Sequence, residues 1–132
     1  MAKKFSFKIK VYYEDTDAGG VVYYANYLKF LERARSEVIY SLGYTNTSIL
    51  ERFGILLIVK SCNIEYKKPA RFEDSLEIIS EIKSFTKTSF LMKQNILKNN
   101  ELISDADVHL VSVDKKGKPS KIPEELKKKL EN

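Results

Sequence analysis

The chain has 132 residues, 43% of them hydrophobic and 31% charged, which suits one buried core and excludes a disordered segment. No apolar run approaches the roughly 20 residues a membrane helix needs, and residues 1–8 lack the apolar stretch of a secretion signal. One soluble, cytoplasmic domain over residues 1–132 is therefore expected.

A formal net charge of +5 favours anionic partners, but much of it lies in Lys127, Lys128, Lys129 and isolated lysines of the kind that solvate a surface. The basic residues are spread along the chain with no nucleic-acid-binding motif, so no nucleic acid partner is expected. Cys62 is the single cysteine, which rules out an intrachain disulfide.

In chain order, Phe5, Phe7, Ile9, Val11 and Tyr13 alternate with other residues, the period-two pattern of a strand with one buried face. A strand is predicted over 5–13. The alternation breaks at Asp15-Thr16-Asp17-Ala18-Gly19-Gly20-Val21-Val22-Tyr23-Tyr24-Ala25-Asn26-Tyr27. Two glycines there permit a sharp bend and a close approach of the backbone to a bound molecule. A helix is predicted over 28–43, with Asn26 as its N-cap and Gly43 as its stop. Tyr27, Leu31, Ala34, Val38 and Leu42 share one face of it, and Lys29, Glu32, Arg33 and Glu37 the other. The first N–H groups of such a helix lack partners and carry partial positive charge. One bend thus holds carboxylates beside an electropositive backbone corner.

A short second helical piece is expected over 45–53. From Gly54 the pattern turns to strands. Ile55-Leu56-Leu57-Ile58-Val59 is apolar on both parities, as in a strand covered on both sides, and Cys62, Ile64 and Tyr66 continue one face. Cys62 is expected to be buried and inert. Residues 67–74 read as a turn, because Pro69 cannot donate to a ladder. Strands follow over 76–82, 89–97 and 102–113, with turns at Asn99-Asn100 and Lys116-Gly117. Pro123-Glu124-Glu125 begins a last helix, on which Leu126 and Leu130 share a side. A long helix followed by four successive strands predicts an antiparallel α+β fold with the helix on one face of the sheet.

The pattern Asp15-x-Asp17-x-x-Gly20-Val21-Val22-Tyr23-Tyr24-x-Asn26-Tyr27, followed by Glu32-Arg33-Ala34-Arg35, resembles the signature of the hotdog-fold acyl-CoA thioesterases. The similarity is to the group that holds 4-hydroxybenzoyl-CoA thioesterase and the thioesterase associated with the Tol-Pal system. Tyr66-x-x-Pro69-Ala70-x-x-x-Asp74-x-Leu76 resembles the later strand-turn-strand of that group. The resemblance implies a long helix wrapped by a five-stranded antiparallel sheet. It also implies a homodimer or homotetramer that joins edge strands, with active sites at the subunit interface and an acyl-CoA substrate. The carboxylate matching Asp17 is then the catalytic one, and the backbone N–H at Tyr24 polarises the thioester carbonyl. Much of the Tol-Pal-associated group has His where this chain has Tyr24, so the resemblance does not set the substrate class.

Thioester hydrolysis needs a group to deliver water or accept the acyl, and donors to hold charge on the carbonyl oxygen. Asp17 as general base or nucleophile and the N–H near Tyr24 meet both needs without a cofactor or a metal. Gly20 and Tyr24 are the expected backbone contacts to substrate, and Asp15 is expected to form the turn. Coenzyme A phosphates need cations, for which Lys60, Arg71, Lys83 and Lys87 stand near strand ends or turns. A calcium loop fits poorly, since Gly19 is no ligand and Asn26 stands where a bidentate Glu belongs. A Cys62/His109 pair would need the base within hydrogen-bond reach. A non-catalytic acyl-CoA- or nucleotide-binding module is the alternative from another class.

Overall fold

The computed structural model describes residues 3–131. The alternation read from the sequence sets which way each strand faces. β1 (Lys4–Lys10), β2 (Ile55–Tyr66), β3 (Ser75–Phe85), β4 (Ser89–Lys98) and β5 (Glu101–Asp114) form one antiparallel sheet in the order β1-β3-β4-β5-β2. Phe7, Ile78 and Ile96 stand in register across three strands and point to the same face. Along β4 and β5, Met92, Ile96, Ala106 and Val108 line that face and are buried.

The helix α1 (Asn26–Ser41) closes the face, burying Tyr27, Phe30, Leu31, Ala34, Val38 and Ile39 against it. Each large apolar side chain so buried contributes about 1.5–3 kcal/mol. α2 (Asn46–Phe53) and α3 (Glu124–Glu131) cover the end of the sheet far from the acidic bend, with Ile49, Leu126 and Leu130 inward. The result is the predicted α+β layering, a long helix on a five-stranded antiparallel sheet.

Three local readings need correction. β1 ends at Lys10 rather than Tyr13. The Asp15 carboxylate accepts the Tyr12 N–H at 2.9 Å, and that bond winds residues 13–15 into a 3₁₀ turn. Asn26 is the first residue of α1, not its cap. Ala25 stands at the cap position in helical conformation, while Asn26 Nδ2 donates to the Asp15 carbonyl at 2.9 Å. β2 is an edge strand rather than a doubly covered one, with Leu56 39% exposed and Ile58 and Val59 each 45% exposed. Its ladder partner is β5 alone, so its apolar run has no second strand to shelter it.

Cys62 shares that edge and is exposed, contrary to expectation. Partial desolvation still pushes its thiol above the ordinary range, which keeps it protonated and inert near neutral pH. His109 lies opposite Ser61, and Cys62 opposite Val108, so the two side chains face opposite sides of the sheet and form no catalytic pair.

Candidate active site

The acidic bend is built by hydrogen bonds that its own sequence supplies. Asp15 is buried and spends its carboxylate on the turn before the bend. Asp17 N–H donates to Val21 O at 2.9 Å and Gly20 N–H to Asp17 O at 3.1 Å, closing a tight loop. Gly20 makes this possible at φ +78°, a conformation that side chains disfavour by about 1–2 kcal/mol. The loop then docks on the connection between β2 and β3: Val22 N–H donates to Ala70 O at 2.8 Å, and Phe72 N–H to Gly20 O at 3.3 Å.

Asp17 itself is exposed. Its Oδ1 accepts the Gly19 N–H at 2.8 Å, and a Cβ on Gly19 would crowd that oxygen at 3.3 Å. Among the described residues Oδ2 accepts no hydrogen bond. One oxygen is therefore held and the other is open to solvent or ligand.

Residues 23–25 form the turn that leads into α1, with Asn26 N–H donating to Tyr23 O and Tyr27 N–H to Tyr24 O. Among the described residues, the N–H groups of Tyr24 and Ala25 donate to nothing. They sit at the positive end of a 16-residue helix, where free donors can hold a developing oxyanion. Tyr66 from β2 donates its hydroxyl to the Tyr24 carbonyl at 3.2 Å. Burial pushes the Tyr66 phenol up, so it keeps the proton it donates. The Tyr66 ring packs against Tyr27 at 5.2 Å and edge-on to Tyr24 at 6.3 Å. Tyr27 in turn accepts the Ala70 N–H at 3.0 Å, its phenol also pushed up by burial. A groove of about 270 Å³ lies beside this cluster, walled by Tyr24, Tyr27, Tyr66 and Pro69 with Lys67 and Lys68 at its rim.

Of the residues expected to bind substrate, the fold brings Gly20, Tyr24 and Arg71 to the bend with Asp17. Arg71 bridges to Val21 through its backbone and leaves its side chain exposed. Lys60 stands mid-strand at the β2 bulge, and Lys87 lies in the β3–β4 turn. β3 starts opposite Lys10 beside the bend and runs away from it, so Lys87 is at the far end of the sheet. Neither lysine joins Asp17 within one chain. Lys83 is exposed and paired with Glu81 at 3.3 Å.

Tyr66, named from the sequence only within a motif, and Lys67 and Lys68, not singled out there, line the groove beside Tyr24. Tyr66 carried a usable signal, being on the inward parity of β2 at the edge of a turn.

A five-stranded antiparallel sheet around one long helix, with an exposed carboxylate in the bend that precedes that helix, is the hotdog arrangement of the thioesterase class. The family model of the Thioesterase-like superfamily matches residues 11–130, and the chain belongs to that superfamily. It is 41% identical over 124 residues to Acyl-CoA thioesterase YbgC of Haemophilus influenzae, covering 93% of this chain and 91% of the relative. It is 42% identical over 125 residues to Acyl-CoA thioester hydrolase YbgC of Escherichia coli O6:H1, covering 92% of each. The crystal structure of a "Probable Thioesterase" from Bartonella henselae matches at a TM-score of 0.87 and 32% identity, over 92% of this chain and 100% of that one. Among the described residues, no helix is long and apolar enough to cross a membrane.

Proposed function

We propose that this chain hydrolyses acyl-CoA thioesters to a free acid and coenzyme A, with Asp17 as general base or nucleophile. The observation that carries the reading is an exposed carboxylate with one oxygen held and one open, in the bend that leads into a helix tip where, among the described residues, the Tyr24 and Ala25 N–H groups donate to nothing. As a base, Asp17 takes a proton from water while the water oxygen bonds to the thioester carbon. As a nucleophile, its oxygen bonds to that carbon and water later cleaves the anhydride. In both routes charge builds on the carbonyl oxygen, the N–H groups of Tyr24 and Ala25 hold it, and the C–S bond then breaks to release the thiolate, which takes up a proton. The names of the relatives that share about two-fifths of its residues support the same chemistry.

A homodimer or homotetramer is part of this reading. The β2 edge leaves ladder groups unpaired beside exposed Leu56, Ile58 and Val59, a surface that a second copy would cover. Antiparallel pairing of two β2 strands would set one copy's bend beside the far end of the other's sheet. Lys60 and Lys87 of the second copy would then complete the phosphate contacts that Gly20, Tyr24 and Arg71 begin. A cytoplasmic location is part of the same reading.

The deciding experiment is a panel of aromatic and aliphatic acyl-CoA esters run on wild type beside Asp17→Asn. Wild type is expected to turn over at least one class, and Asp17→Asn to lose about a hundredfold or more in kcat. Undiminished turnover in Asp17→Asn would defeat the assignment. Tight binding with no turnover by wild type would instead favour the non-catalytic module. Uptake of ¹⁸O from labelled water into the Asp17 carboxylate during a single turnover would mark the nucleophilic route, with water adding at the Asp17 carbon of the anhydride.

A further inference from the structure

The two unused N–H groups at the tip of α1 belong to different peptide planes, and those planes are held in different ways. The Tyr24 N–H shares its plane with the Tyr23 carbonyl, which accepts the Asn26 N–H at 2.8 Å, a bond between main-chain atoms. The Ala25 N–H shares its plane with the Tyr24 carbonyl. That oxygen accepts the Tyr27 N–H at 3.3 Å and the Tyr66 hydroxyl at 3.2 Å. Among the described residues, Tyr66 is the one side chain that donates to either carbonyl.

A trans peptide is planar, so its N–H points opposite to its C=O. Holding the Tyr24 oxygen therefore fixes where the Ala25 N–H aims, on the side away from the Tyr66 hydroxyl. The added bond also draws electron density toward that oxygen and strengthens the N–H as a donor, by roughly 10–30%. No capping side chain competes for the tip. Ala25 stands at the cap position, where Ser, Thr, Asp or Asn would occupy a free N–H of the first turn, and it makes no side-chain cap bond.

Tyr66 is fixed in turn by the sheet. It ends β2 opposite Ser104 of β5, and the N–H of the next residue, Lys67, donates to Ile103 O at 2.9 Å. Its ring lies 5.2 Å from that of Tyr27, whose hydroxyl accepts the N–H of the fully buried Ala70 at 3.0 Å. The Tyr66 hydroxyl thus carries the position of the sheet to the helix tip.

We propose that Tyr66 is a positioning residue for thioester cleavage: its hydroxyl, through the Tyr24 carbonyl, aims and polarises the Ala25 N–H toward the oxygen on which charge develops. This role rests on the hydrolase reading above and acts through a main-chain donor rather than on the reacting atoms. The thioester oxygen carries more charge in the transition state than in the bound substrate, so the effect falls on kcat rather than KM. A purely structural hydroxyl would change stability and leave turnover alone.

The test runs wild type, Tyr66→Phe and Asp17→Asn on the acyl-CoA ester that wild type turns over fastest. Tyr66→Phe keeps the ring contacts and is expected to lose about tenfold in kcat with KM within about twofold, less than the roughly hundredfold for deleting a donor outright. A trifluoromethyl ketone analogue of that ester takes up an oxyanion when water or Asp17 adds to its carbonyl, and it should bind Tyr66→Phe more weakly by the same factor as kcat. An S-alkyl-CoA thioether, which has no carbonyl, should bind both proteins equally. Ala25→Pro deletes the N–H itself at a residue whose φ of −66° proline already matches, and in that background Tyr66→Phe should cost no further rate. Wild-type kcat in Tyr66→Phe would overturn the proposal and leave the Asp17 assignment standing, whereas undiminished turnover in Asp17→Asn would remove the hydrolase reading beneath it. Equal losses of ketone and thioether affinity, or a full tenfold loss on top of Ala25→Pro, would also overturn it. The Tyr66→Phe results stand even if Ala25→Pro does not fold.

Discussion

Gln94 has no exposed surface, and its carbonyl and amide groups are both occupied, by Arg35, Leu31 and Ser80. Gln94→Leu would leave a half-buried guanidinium and a buried hydroxyl without this partner, at a cost of about 1–3 kcal/mol for stranding such groups. Urea denaturation is expected to show that loss, and an unchanged midpoint would mean water replaces the amide. A hint of Gln94 stood in the sequence, as a polar residue on the inward parity of β4 between Met92 and Ile96. Its partners did not, because they lie 14 to 63 residues away in the chain. Gly20 gives the opposite lesson. A Cβ there would meet nothing within 4 Å, yet the backbone sits at φ +78°. Gly20→Ala should therefore cost about 1–2 kcal/mol from conformation alone, read by the same denaturation. The role of a Gly-Gly pair in a bend was legible because it depends on local backbone sterics.

Among the elements, α2 and α3 are clamped through one carboxylate. Glu125 accepts the Tyr44 hydroxyl and pairs with Arg52 at 2.6 Å. The Tyr44 bond, helped by Arg52, holds the Glu125 carboxyl below its ordinary value. A folded pKa below the unfolded one gives stability that is present above the unfolded value and lost as pH falls through the folded one. Wild type should thus lose this contribution below the ordinary carboxylate range, while Glu125→Gln should lack that acid dependence. Thermal melts of both from neutral to acid pH test it, and parallel curves would count against the clamp. The start of α2 was not read as a cap, though Thr45 Oγ1 accepts the Ser48 N–H at 2.9 Å. Thr45→Ala should cost about 1 kcal/mol. Helix and strand periods were legible because they are local, whereas β1 ended early through the single Asp15–Tyr12 bond.

For the whole molecule, α+β layering and five strands could be read from the alternation of β1 and β3 to β5. The strand order could not. Ile55–Val59 looked doubly covered because an apolar run reports that burial is wanted, not which surface provides it. In one chain that surface is missing on β2. Sedimentation equilibrium is expected to return a multiple of the 15.3 kDa chain mass, and a lone 15.3 kDa species would remove edge pairing from the account. The same uncertainty governed the site. Asp17, Gly20, Tyr24 and Arg71 could be grouped from the sequence because they lie in or against one bend. Lys60 and Lys87 stand away from that bend within one chain, which no local pattern could reveal.

Residues 20–22 of the bend are stitched to residues 70–72 through main-chain atoms alone, which every amino acid possesses. The rings of Tyr13, Tyr23 and Tyr24 stand outside that stitching, open to water. Those rings can therefore be exchanged without breaking the bonds that hold the bend in place.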